Sequence, residues 1–153
     1  MQQETFIVGE KEFTCVRMNP FAANKLLIRV QKIVMPVLGT LASGSARQSI
    51  MDVDVKVAAM AIAENVDESL MENIVLPMFL EAKLYSVTDK KFIKDATSID
   101  MVFTTESLFD LYEIIWLVGR FQFAPFFAKL MERFGTTLAD ANTPPSLESS
   151  AKT

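Results

Sequence analysis

A chain of 153 residues, half of them apolar, fits one domain with a core of its own. Its 15 basic and 19 acidic residues leave a net charge of −4, and the basic ones are scattered, without the stripe expected of a nucleic-acid binder. One cysteine, Cys15, excludes an intramolecular disulfide framework and suits a reducing compartment.

The opening MQQETFIVGEKE carries Glu4, Glu10 and Glu12 and lacks the basic and apolar regions of a secretory leader. Residues 4–17, ETFIVGEKEFTCVR, predict a β-hairpin: Thr5 to Val8 and Phe13 to Val16 favour strand, and Gly9, Glu10 and Lys11 supply the turn. Phe13, Cys15 and Arg17 alternate with Thr14 and Val16, so one face can pack down. Asn19 then suits an N-cap and Pro20 a first helical position. The helix expected from Pro20 to about Ser43 has apolar residues from Leu26 to Leu41 at spacings of three and four, with Lys25, Arg29 and Lys32 opposite. Pro36 should kink or split it.

ASGSARQS reads as a loop. Asp52 or Asp54 opens a second helix to about Glu64, with Val53, Val57, Met60 and Ala61 inward, and Asp67 caps a third with Leu70, Ile74, Met78 and Phe79 inward. Pro77 marks a bend or boundary there. Val87 and Phe92–Ile93 around Asp89 suggest a short second hairpin; Lys90, Lys91 and Lys94 are read as a solvated loop. Thr104 or Thr105 starts the long last helix. Leu108, Leu111, Ile115 and Val118 make one stripe, and Phe109, Tyr112, Trp116 and Phe123 a second; Glu106, Asp110, Glu113 and Arg120 form a narrow polar face. Gly119 leaves room for a neighbouring backbone, and Ala124–Pro125 should break the helix before a short segment, PFFAKLMERF. Residues 136–153 have almost no large apolar side chains and are expected to be a flexible polar tail. The fold class is therefore mainly α: a two-stranded hairpin on a bundle of about five helices, in one domain over residues 1–135.

Chemistry is sparse. The chain has no histidine, which removes the commonest general base and zinc ligand, and no nucleotide-binding or nucleophile-elbow motif occurs. Cys15 sits on a strand without a base to activate it. Asp52 and Asp54 lack the glycine and distal glutamate of a calcium loop and suit a helix start instead. Asp110 and Glu113 could serve acid–base chemistry only by converging in a pocket; as part of a polar edge they need no such role. No catalytic residue, cofactor or metal is expected. The apolar stretch 112–135 has uncharged pieces, such as Ile114–Gly119, far short of the about 20 residues of a membrane span.

What stands out is the apolar load: 12 phenylalanines, nine methionines and a tryptophan. The final helix is apolar over most of its circumference, and a terminal helix of a small domain rarely buries that much, so core plus a partner groove is the favoured reading. The rings around the expected break cannot all point inward. Phe121, Phe123, Phe126 and Phe127, with Leu130, are the candidate partner-binding residues; a second copy of the chain is the other possible occupant. If these rings are core, Lys25, Arg29 and Lys32 mark the alternative surface.

Taken in order, the pieces resemble the small tail assembly chaperones of long-tailed bacteriophages. FIVGEKEFTCVRMNPFAANKLLIRVQKIVMPVLGTL is similar to their opening: a hairpin, an arginine before a proline-containing turn, and a helix ending in PVLG. LYEIIWLVGRFQFAPFFAKL is similar to their closing helix, with Gln122, Phe123 and Phe126–Phe127 in the places of an asparagine-like residue, an aromatic and a double phenylalanine. The resemblance covers residues 5–134 in element order and is weakest across VTDKKFIKD. It implies a non-enzymatic protein of the host cell cytoplasm that binds the coiled-coil tape measure protein while the tail tube polymerises, and is absent from the finished particle. It also implies that a frameshifted extension could follow Thr136. A structural connector of the phage head or tail, or a small helical adaptor, is the alternative.

Overall fold

The computed structural model describes residues 2–42 and 54–142, with side chains for 2–31, 54–126, 128 and 129. Strands β1 (Gln3–Val8) and β2 (Lys11–Val16) form the expected antiparallel hairpin. Its turn holds two residues, Gly9 at φ 57° and Glu10 at φ 68°, the left-handed pair that a type I′ turn requires. Lys11, expected in the turn, already pairs with Val8. A Cβ on Gly9 would also overlap the Asp110 carboxylate, so the turn fits closely against the last helix. Strand alternation sends Phe6, Val8, Phe13 and Cys15 into the core.

The second hairpin is present as β3 (Tyr85–Ser86) and β4 (Lys91–Phe92). The sequence did not reveal that the two hairpins join. β3 runs antiparallel to β2, with Phe13 opposite Ser86, giving one sheet in the order β1-β2-β3-β4. Helices α1 (Pro20–Ala42), α2 (Val55–Asn65) and α3 (residues 68–81) are inserted between adjacent strands. Lys11 Nζ binds the sheet together at its turn end, reaching Asp89 Oδ2 at 3.0 Å and the Val102 carbonyl at 2.7 Å. Burial pushes the Asp89 carboxyl up, but hydrogen bonds from Ser86 and Lys11 outweigh it and hold its pKa below the usual value.

Caps fall where short polar side chains stand. Asp54 Oδ1 accepts the Lys56 N–H, which settles the start of α2, and Asp67 Oδ1 accepts the Leu70 N–H at the start of α3. Asp52, Val53 and the ASGSARQS loop lie outside the described residues. A helix that the pattern analysis did not anticipate, α4 (Ala96–Val102), begins with a capping box between Asp95 and Ser98. Thr104 caps a 3-10 turn, Thr105–Ser107, that leads into α5 (Leu108–Asn142). The N-terminal hairpin and a count of five helices are thus as expected, but not helix for helix: α4 is additional, and α5 takes in both the long last helix and the short PFFAKLMERF segment expected after a break. α5 runs past the expected tail boundary at Thr136 as far as Asn142; residues 143–153 lie outside the described residues.

The prolines depart most from expectation. α1 is not split at Pro36, and α5 is not broken at Ala124–Pro125 but continues through it. A proline inside a helix leaves the carbonyl four residues earlier without its N–H donor. At Pro125 that carbonyl is Phe121's, and the Arg17 guanidinium donates to it from the end of the hairpin. At Pro77 it is Asn73's, and Arg29 Nη1 on α1 donates to it at 3.1 Å. α3 does deform there: a π turn, Met71–Val75, separates Glu68–Leu70 from Leu76–Glu81.

α5 is the axis of the core. Ile114, Ile115, Trp116, Leu117 and Val118 are five consecutive buried residues, so its middle is covered on every side. That overturns the expectation that a terminal helix could not bury so much. α2 packs on α5 and on α1, burying Ala58, Ala59, Ala61 and Ile62; the three alanines are small enough to let backbones approach. Val57 and Met60, expected inward, are exposed because this alanine face won the contact. Leu108 and Phe109, expected in the stripes, are partly exposed at the helix start. Among the described residues, Gly119 meets the Met78 sulfur, 3.9 Å from where a Cβ would stand, rather than a backbone. Phe13 stacks on Phe103 with centroids 5.9 Å apart.

Candidate functional site

The two stretches that carry the family resemblance meet in space. Arg17 ends the hairpin, and Gln122 lies on α5. Gln122 Oε1 accepts the Met18 N–H at 2.9 Å while its Nε2 donates to the Val16 carbonyl at 2.6 Å. A side-chain amide thus pairs with both polar groups of the backbone where β2 hands over to α1. Arg17 adds its hydrogen bond to the Phe121 carbonyl and lies over the Phe121 ring, 4.0 Å from the centroid. The start of α1 is fixed by backbone alone: the Asn19 carbonyl accepts the Ala23 N–H at 2.9 Å.

Around this junction the expected partner-binding residues separate. Phe123 is buried in the core with Ala124 and offers no surface; a continuous helix turns it inward, where an assumed break left its direction open. Phe121 is half-buried under Arg17. Phe126 is 43 % exposed, one helical turn beyond Gln122. Phe127 and Leu130 stand on the same helix, and their side chains lie outside the described residues. Pattern reading missed Phe21, 84 % exposed in the first turn of α1, three residues after Met18. Ile28 is exposed too, on the side of α1 that carries Lys25 and Arg29. Both were legible in principle, since Phe21 precedes the apolar series that starts at Leu26 and Ile28 falls outside it.

The proposed carboxylate pair does not converge. Glu113 is buried rather than on a wet edge, and Lys56 Nζ on α2 meets its Oε1 at 3.1 Å. Asp110 lies against the Gly9 turn instead. Burial pushes the Cys15 thiol up to about 12, with Glu4 adding to it. Among the described residues no His, Cys, Asp or Glu side chains gather as metal ligands, and no helix is long and apolar enough to cross a membrane.

These features define a small helical protein whose hairpin and last helix are clamped together, with apolar rings exposed beside the clamp. The family model for phage tail assembly chaperone protein, TAC, matches residues 9–135, which span the hairpin turn, α1 to α4, α5 as far as Gly135, and the clamp. The chain belongs to that family. No curated protein and no solved structure matches it.

Proposed function

We propose that the chain holds the helical tape measure protein during assembly of the tail tube, without catalysis, in the host cell cytoplasm, and is released before the particle is complete. The observation that carries this reading is the pair of exposed rings, Phe21 on α1 and Phe126 on α5, beside the Arg17–Gln122 clamp. A coiled-coil client offers repeated apolar stripes, and aromatic side chains held on rigid helices are suitable anchors for them. The clamp fixes the two helices that carry these rings, so the surface is formed before the client arrives, which lowers the ordering cost of binding.

The test is to change Phe21 and Phe126 singly to Ser and measure co-purification with the tape measure protein alongside thermal stability. Both side chains are exposed, so the fold should survive and capture of the client should fall. Full capture by both stable variants overturns the assigned surface. Mass spectrometry of purified particles addresses release: the chain should be missing, and its presence at fixed stoichiometry would make it a structural connector.

A further inference from the structure

We infer that the groove between the C-terminal end of α3, strand β4 and helix α4 docks an acidic amphipathic helix of a partner protein. Three large apolar side chains stand out there: Phe92 on β4 is 54 % exposed, Leu80 on α3 53 % and Met101 on α4 59 %. They lie along two adjoining hollows of about 380 and 310 Å³ that share Phe92 and Lys94. Leu80 stands at the first and Met101 at the second, so the apolar surface runs from one helix to the other across the edge of the sheet. A patch of this kind beside polar residues is a feature of interaction sites.

Charge specifies the occupant. Lys83 and Lys94 line the first hollow, Lys91 and Lys94 the second, and none of the three is in an ion pair among the described residues. The nearby carboxylates are largely committed. Asp89 is held by Lys11 and Ser86, and Asp95 caps α4 through the Ser98 N–H. Glu81 at the end of α3 and Asp100, exposed on α4 beside Met101, are the remaining acids, against three lysines on the rim itself. In a chain of net charge −4 this is a local basic rim around an apolar floor, complementary to an apolar stripe flanked by Asp or Glu. A strand is a poorer fit, because β4 pairs over only Lys91 and Phe92 and offers too short an edge to set a register. Nucleic acid is disfavoured by the exposed apolar side chains Leu80, Phe92 and Met101 that occupy the ground between the lysines. The groove shares no residue with the Phe21 and Phe126 surface, so the two proposals stand or fall separately.

The test uses the full chain and fluorescence anisotropy with two labelled synthetic helices of about 20 residues, both with leucines at i, i+3, i+4 and i+7. One carries glutamates beside the leucine stripe and the other lysines. The glutamate helix should bind at least about tenfold more tightly, and added salt should weaken it. Phe92→Ala and the double variant Lys83→Gln, Lys94→Gln should each weaken it about tenfold while thermal stability is kept, and Ile7→Ser, at an exposed position on β1 away from both surfaces, should leave it unchanged. No binding, equal binding of both helices, or unchanged binding by the lysine variant overturns the proposal. So does equal competition by single-stranded DNA, or a dimer that forms through Phe92 in sedimentation.

Discussion

Cys15 shows how one buried side chain sets a measurable property. Strand alternation turns it into the core, where the charged thiolate is disfavoured and the pKa rises from 9.0 to about 12. A thiol held protonated is a poor nucleophile. The unfolded thiol ionises above about pH 9, whereas the folded one keeps its proton to about pH 12. Between those values the unfolded state binds fewer protons, so stability is intact below pH 9 and falls as pH rises. Thermal melts from pH 8 to 12 should therefore show a steeper loss for the natural chain than for Cys15→Ala. Parallel losses would mean that the folded thiol titrates normally. Glu113 is a second buried polar side chain, and it is met by a partner: Lys56 Nζ lies 3.1 Å from its Oε1.

At the scale of elements, two helices survive an interior proline because an arginine from elsewhere in the chain donates to the carbonyl left without a partner. Arg17 serves Phe121 ahead of Pro125, and Arg29 serves Asn73 ahead of Pro77. This predicts coupling that a double-mutant cycle in urea can read. Arg17→Ala should cost about 1.5–3 kcal/mol, the range for a hydrogen bond to a charged group. In a Pro125→Ala background residue 125 regains its N–H and can satisfy Phe121 itself, so the same change should cost less, by about 1 kcal/mol or more. What remains reports the contact of Arg17 with the Phe121 ring and its exposed hydrogen bond to Gln2 Oε1. Equal costs in the two backgrounds would show that the carbonyl is not what makes Arg17 matter.

For the whole molecule, α5 is the element that makes one body of the rest. It contacts β1, α1 and α2, and its buried middle carries Trp116. Hairpin and helices should then unfold together. Urea transitions followed by Trp116 fluorescence and by far-ultraviolet circular dichroism should coincide; separate midpoints would show that the elements are not held by this shared core. The sequence by itself determined the local features: the hairpin, α1, the capped starts of α2, α3 and α5, and through its motifs the family. Each of these depends on residues a few positions apart, so spacing and residue type suffice to read them. Only the tertiary structure decided that β3 joins β2, that Val57 and Met60 face outward, that Phe123 is core while Phe126 is exposed, and that α5 runs through Pro125. An N–H missing from a helix can be replaced by a donor 104 residues away along the chain, as Arg17 is from Phe121. The exposure of a ring likewise depends on which distant element covers it, and neither fact is written in the residues beside it.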